Sequence, residues 1–325
     1  MSYHPPAPKK DQRLPLDIGL AVGGLAVLIL AADRLVVSAT RLARFFGVST
    51  VLIGAVIVGF GTSIPEFVVT IIAGLKGEID LAMSNVVGSN TANLTLVLGG
   101  AALVATLVAR QSVVRREGYL MMAAVAALAV VLWDGTVTRL GGVVLVGLLI
   151  VALSLLVLWS RPAAVASGER GVPDRAVPHG RKLWAELSIA VVALAATLIA
   201  AQFLVDGVIG VGERLGWSAA FLGMITGVGT SLPELAAGLA SSRKRESDLT
   251  IGNVLGSNIF NSLGVAGVAA ILAPGSLASL STAMLVVMVG VAVIAGVFAV
   301  TGQRIVRWEG LALLLAFGVY AVVVI

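Results

Sequence analysis

Glu66 and Glu234 close two copies of one phrase, Gly-Thr-Ser-x-Pro-Glu, at residues 61–66 and 229–234. On a helix, a glutamate four residues after a threonine shares its face. The proline between them has no amide hydrogen and clashes with the carbonyl four residues earlier. Carbonyls near Gly61 and Thr62, and again near Gly229 and Thr230, are thereby released and can converge with a carboxylate. Gly59 and Gly61 in one copy, and Gly227 and Gly229 in the other, let a second backbone come close. That combination of free carbonyls and carboxylates is suited to binding a cation.

A second constellation follows each motif. Asn85, Ser89 and Asn93 stand four residues apart, a polar stripe on an otherwise apolar stretch, and Asn253, Ser257 and Asn261 repeat it. Such stripes often only hold helices together, a reading that fits Asn90 and Asn258. Following a carboxylate motif, the stripe is expected to line a site. All the donors are hard oxygens, which suit Ca²⁺ or Na⁺ and offer nothing to a soft transition metal. Two carboxylates neutralise one divalent ion or hold two to three monovalent ones, so the two ions can compete for one cage. One motif alone could be a kinked helix with a glutamate facing a water-filled vestibule. A carboxylate inside a membrane helix is a functional hypothesis by default, and two copies strengthen it.

The chain that must position these residues is a membrane chain. Hydrophobic residues make up 58% and charged residues 12%, against roughly 25% charged in soluble domains, and apolar runs long enough to span a bilayer recur throughout. We expect an all-α polytopic protein with ten transmembrane helices at about 16–46, 50–75, 80–109, 117–134, 139–160, 183–214, 217–242, 248–273, 278–300 and 305–325. Residues 1–15 read as a flexible polar N-terminus and 161–182 as a linker loop. The first apolar run could imitate a signal peptide, but it has a counterpart in the second half, so cleavage would break the repeat. One set of alternate loops holds fifteen Lys and Arg residues and the other six, which puts the linker in the cytoplasm and both termini outside. The net charge of +5 follows from those loops and does not call for nucleic acid. Arg34, Arg41 and Arg44 lie near one face of the long first helix, with snorkelling the simplest reading. Cysteine is absent and His4 and His179 fall in polar segments, so thiolate chemistry is excluded and no histidine ligand is expected.

Both constellations recur at a constant offset of 168 residues. With five spans per half, an odd number, the second half (183–325) enters the membrane opposite to the first (16–160). That is the inverted-repeat plan of secondary transporters, with the site near the midplane. The approach differs slightly: Gly54 lies seven residues before Gly61, Gly223 six before Gly229.

With these paired motifs the chain resembles the calcium/cation antiporter superfamily, specifically the prokaryotic sodium/calcium exchanger type, over essentially its whole membrane portion. The resemblance implies a prokaryotic plasma-membrane antiporter that exchanges Na⁺ for Ca²⁺ by alternating access, with the first and sixth helices as a moving gate. It implies that Glu66 and Glu234 bridge the ions and that carbonyls of Thr62 and Thr230 complete the Ca²⁺ shell. Ser63, Ser231, Ser89 and Ser257 would serve flanking Na⁺ sites with carbonyls near Gly59 and Gly227, and Asn93 and Asn261 would sit at the centre. Asparagine at 261, where several relatives have aspartate, argues against K⁺ dependence and mildly against H⁺ coupling. A Ca²⁺/H⁺ antiporter is the runner-up, and a cation channel is the alternative from another class. An enzyme is disfavoured because Cys and intramembrane His are absent, and Ser63 or Ser231 with a neighbouring glutamate is a poor substitute for a nucleophile and base. Membrane lipid and the two ions are the expected partners, with no cofactor, nucleic acid or protein partner. Residues 161–182 are too short for a regulatory calcium-binding domain. Asp33, Asp206, Glu78 and Asp80 read as structural or vestibular.

Overall fold

The computed structural model describes residues 14–108, 110–160, 183–217, 228–278 and 280–324. The expected flexible segment 1–15, except for its last two residues, and the linker 161–182 lie outside them. Among the described residues the chain is helical: α1 (Leu14–Phe46), α2 (Thr50–Thr62), α3 (Ile64–Leu75), α4 (Ile79–Val104), α5 (111–132), α6 (Arg139–Ser160), α7 (Leu183–Arg214), α8 (Leu232–Arg243), α9 (Ser247–Leu272), α10 (Thr282–Gly302) and α11 (Arg307–Val324). Six of them are long and apolar enough to cross a membrane, and seven if α2 and α3 count as one span bent by 45°. Part of the expected 217–242 helix falls on undescribed residues, and only its end, α8, is seen.

Three differences from expectation have local causes. The third helix ends at Val104 rather than near 109, because Leu107–Val108 (β1) pairs antiparallel with Arg304–Ile305 (β4). Thr136–Val137 (β2) pairs likewise with Gly275–Ser276 (β3), so the fold is not purely α. The helix expected from 278 starts at Thr282, where the Ser281 side chain accepts from the amide of Met284 and caps the first turn.

The pairings obey the same offset as the motifs. Shifting β1 by 168 residues gives β3, shifting β2 gives β4, and the register follows: Leu107 faces Ile305, and Gly275 faces Val137. Close helix contacts repeat the exchange. A Cβ on Gly99 would stand 2.8 Å from the Gly310 carbonyl, and one on Gly142 would stand 2.6 Å from that of Gly267. Each half therefore packs its last helix onto the third helix of the other half.

The core is built mainly of Ala, Val and Leu on α4, α5, α9 and α10. The long α1 and α7 pack on one another outside it, each with few buried residues. At 33 residues, α1 is about 50 Å long, beyond the roughly 30 Å hydrocarbon core, so it must tilt or protrude. Ion pairs join the two helices near both ends: Asp17 with Arg214 at 2.6 Å, and Arg41 with Glu186 at 3.1 Å. Arg41 thus pairs with a carboxylate, beyond the snorkelling expected of it. Asp33 pairs with Lys244, Asp206 accepts from Gln202, and Asp80 accepts from the Leu280 amide, all structural contacts.

Candidate cation site

The break in the motif falls at Ser63 and leaves Pro65 inside a helix start rather than at a mid-helix kink. Ser63 adopts φ −83°, ψ 10°, and α3 begins at Ile64 with Pro65 in its first turn. There the missing amide hydrogen costs nothing. Ser231 repeats the geometry at φ −88°, ψ 5°, and α8 begins at Leu232. Glu66 and Glu234 accordingly sit in the first turns of α3 and α8, where the helix dipole favours a negative charge.

Both carboxylates are fully buried, and each is held by the other copy of the motif. Ser63 Oγ donates to Glu234 Oε1 at 2.8 Å, and Ser231 Oγ donates to Glu66 Oε1 at 3.3 Å. The stripe residues anchor the same turns from below. Asn85 Nδ2 donates to the Glu66 carbonyl at 3.5 Å and to Thr70 Oγ1 at 3.0 Å, while Asn253 Nδ2 donates to the Glu234 carbonyl at 3.2 Å. Asn85 and Asn253 were not among the expected ligands, and here they position the glutamates. Their signal was present, since each stands nineteen residues after its glutamate in both halves.

Close backbone approach brings α2 onto α9. A Cβ on Gly59 would lie 2.7 Å from the Asn253 carbonyl oxygen and 2.9 Å from the Ser257 amide nitrogen, so only glycine fits. At that crossing the Gly59 carbonyl accepts from Ser257 Oγ at 3.0 Å, which unites two of the residues expected to share a flanking site. Thr62 Oγ1 turns back to the Val58 carbonyl at 2.9 Å. Thr230 lies beside Ser231 at the second bend, and Gly227 lies outside the described residues. Three π-helical turns frame the region, at Gly54–Gly59, Asn93–Val97 and Phe260–Val265. Such turns recur at functional sites.

Several polar atoms have no partner among the described residues: Glu66 Oε2, Glu234 Oε2, Ser89 Oγ, and both amide atoms of Asn93 and of Asn261. Among the described residues no Lys, Arg or His pairs with either glutamate. A buried charge without a partner is costly unless it is paired or coordinates a metal. The donor set thus fits a cation as cargo: two carboxylate oxygens without a partner among the described residues, with further unpaired amide and hydroxyl oxygens on α4 and α9, whose π-helical turns pack on α8 and α3. Asn90 donates to Ser262 at 2.9 Å and Asn258 to the Val254 carbonyl at 2.8 Å, in keeping with helix packing, although the Oδ1 of each also has no partner among the described residues.

The profile of the sodium/calcium exchanger protein family matches residues 16–158 and 186–325, nearly the whole chain. The chain belongs to that family. Inner membrane protein YrbG of Escherichia coli is 34% identical over 270 residues, covering 81% of this chain and 82% of YrbG. Sodium/calcium exchanger MaX1 of Methanosarcina acetivorans is 29% identical over 335 residues, covering 92% and 96%. Among solved structures, one of the sodium-calcium exchanger NCX_Mj soaked with Na⁺ and Sr²⁺ aligns with a TM-score of 0.82 at 26% identity, covering 94% of this chain and 97% of that one. This exchanger-family chain is thus an integral membrane protein and a cation antiporter by family, and its helical fold matches NCX_Mj.

Proposed function

We propose that the protein exchanges Na⁺ for Ca²⁺ by alternating access, without K⁺, through one site shared by the two halves. The observation that carries this reading is a pair of oxygens, Glu66 Oε2 and Glu234 Oε2, without a partner among the described residues, on carboxylates cross-held by Ser231 and Ser63. Glu66 and Glu234 take the ions. The Thr62 and Thr230 carbonyls complete the Ca²⁺ shell, and Ser63, Ser231, Ser89 and Ser257, with carbonyls near Gly59 and Gly227, hold the flanking Na⁺ ions. Asn93 and Asn261 sit between. Neutral asparagine at both central positions leaves two formal charges in the cage, enough for one Ca²⁺ or for two to three Na⁺, and this favours exchange without a K⁺ requirement.

The proposed frame is ten spans in two inverted halves, 16–160 and 183–325, in a prokaryotic plasma membrane, with the linker 161–182 cytoplasmic and both termini outside. It is supported by which loops meet. The β1–β4 pair joins two loops of the arginine-rich set, and β2–β3 joins two loops of the other set.

The test is Ca²⁺ flux into reconstituted vesicles under an imposed Na⁺ gradient, then a pH gradient, with and without K⁺. Flux that follows the Na⁺ gradient and is lost in E66Q is the expected outcome. Flux following only the pH gradient would make the protein a Ca²⁺/H⁺ antiporter, and Ca²⁺ current without any counter-ion would make it a channel.

A further inference from the structure

The turn after α8 carries charge that the fold does not ask for. Its twin after α3 has the same backbone: the Glu78 amide donates to the Ala73 carbonyl and the Gly77 amide to that of Gly74, as the Glu246 amide donates to the Ser241 carbonyl and the Arg245 amide to that of Ser242, all four bonds at 2.9 Å. This is a helix C-terminal motif whose last-but-one residue takes the left-handed conformation, normally glycine. Gly77 supplies it at φ 78°, but its counterpart is Arg245 at φ 59°. An L side chain there is strained, and glycine would remove the strain at no loss to the turn. Leu75 and Ile79 of the first half likewise correspond to Arg243 and Ser247 of the second.

Those residues face one cavity of about 620 Å³, walled by Arg243, Arg245, Arg307, Ser242, Ser247 and Thr106 among others. No carboxylate is among the described residues that line it. Of the nearby acids, Asp33 pairs with Lys244, Asp248 with Arg110, and Glu309 accepts from the Val306 amide, while Glu246, between Arg245 and Ser247, is not among the residues that line the cavity. Arg243, Arg245 and Arg307 form no ion pair among the described residues. In the first half, the counterpart of Arg307 is Arg139, which donates back to the Ile271 carbonyl; Arg307 has no such bond among the described residues. A bias toward basic cytoplasmic loops would be met by arginine at any exposed position. It does not account for arginine at a left-handed one beside two others.

We propose that Arg243, Arg245 and Arg307 form a binding site for a phosphate-bearing anion, supplied by an acidic phospholipid headgroup or by a soluble phosphate. Guanidinium groups bind phosphate through paired, charge-assisted hydrogen bonds, and basic pockets between membrane helices are suited to acidic headgroups. The Ser247 end of α9 adds its partial positive charge. The cavity touches the ends of α8 and α4, the helices that carry Glu234 and the Asn85–Asn93 stripe, so an occupant would bear on the elements that hold the cation site.

The test uses the full chain in detergent and follows thermal unfolding at matched ionic strength. The probes are dioctanoyl phosphatidylglycerol, its neutral phosphatidylcholine counterpart, and inorganic phosphate. A saturable rise in unfolding temperature is expected with phosphatidylglycerol and not with phosphatidylcholine. Binding should weaken about ten-fold or more in R243L/R245G, which installs the first half's own residues and so keeps the turn, and in R307Q. A rise with phosphatidylglycerol alone identifies a lipid headgroup, and an equal rise with inorganic phosphate identifies a soluble anion. No saturable rise with either anion, or an unchanged rise in both variants, overturns the proposal.

Discussion

Ser63 of the first motif donates its hydroxyl hydrogen to Glu234 of the second at 2.8 Å. With the reciprocal bond from Ser231 to Glu66 at 3.3 Å, each carboxylate is held by a serine of the other half. One oxygen of each is bonded to that serine, and in the proposed exchange the other is left for cargo. If the proposed exchange is right, the two motifs operate as one site whose halves cannot be tuned separately.

Replacing either glutamate removes one of the two cargo charges. E66Q and E234Q should each lower gradient-driven Ca²⁺ flux by on the order of 100-fold or more, the scale of deleting one partner of a buried charged pair. The ion-free protein should unfold no earlier in either variant, because an uncompensated buried charge has been removed. Vesicle flux and thermal unfolding measure the two effects. A destabilised but still active E66Q would contradict the site.

S63A takes away the donor that holds Glu234 Oε1. A lost hydrogen bond to a charged group is worth about 1.5–3 kcal/mol, so the concentrations of Na⁺ and Ca²⁺ needed for half-maximal flux should rise roughly ten-fold or more. S231A should do the same through Glu66, with a smaller effect in keeping with its longer bond. Titrating flux against each ion in both variants checks the order.

G59A drives a methyl group into the Asn253 carbonyl and the Ser257 amide. Overpacking of this kind costs about 1–3 kcal/mol, and here it also pushes α2 away from α9 across the Gly59–Ser257 bond. Lower thermal stability and weaker Na⁺ activation should appear together. G290A, where nothing lies within 4 Å of the added atom, is the control and should change neither.

Asp17 and Arg214 are largely buried partners at one end of the α1–α7 pair. D17N and R214Q should each destabilise the protein, by about 3–5 kcal/mol at the upper end. The double variant should cost less than the sum, with a coupling of about 1 kcal/mol or more. Strict additivity of unfolding free energies would mean the pair contributes nothing.

In the sequence, the residues of the candidate site were more legible than the contacts that join them. Glu66 and Glu234, their serines and the stripe asparagines were legible because each residue type has a specific chemical use and each recurs 168 residues later. What joins them was not. The Ser63–Glu234 bond spans 171 residues, and no local periodicity records it. The proline pointed to a break, but the bend falls at Ser63, since Pro65 suits a first helical turn as well as a kink. Thr106–Val108 reads as more apolar helix, and only the partner residues Arg304 and Ile305 make a strand of it. Arg245 reads as one more basic loop residue until its backbone angle is known.

The crossed packing of the two halves also constrains how the protein is made. Gly99 and the 107–108 edge reach the membrane early in synthesis, but their partners, Gly310 and residues 304–305, are close to the end of the chain. Until the last helix inserts, the first half is a provisional assembly with an unfilled face and an unpaired edge. Completion of the first half's packing thus waits on residues 304–324, and a ribosome that stops short of them leaves that face and that edge open.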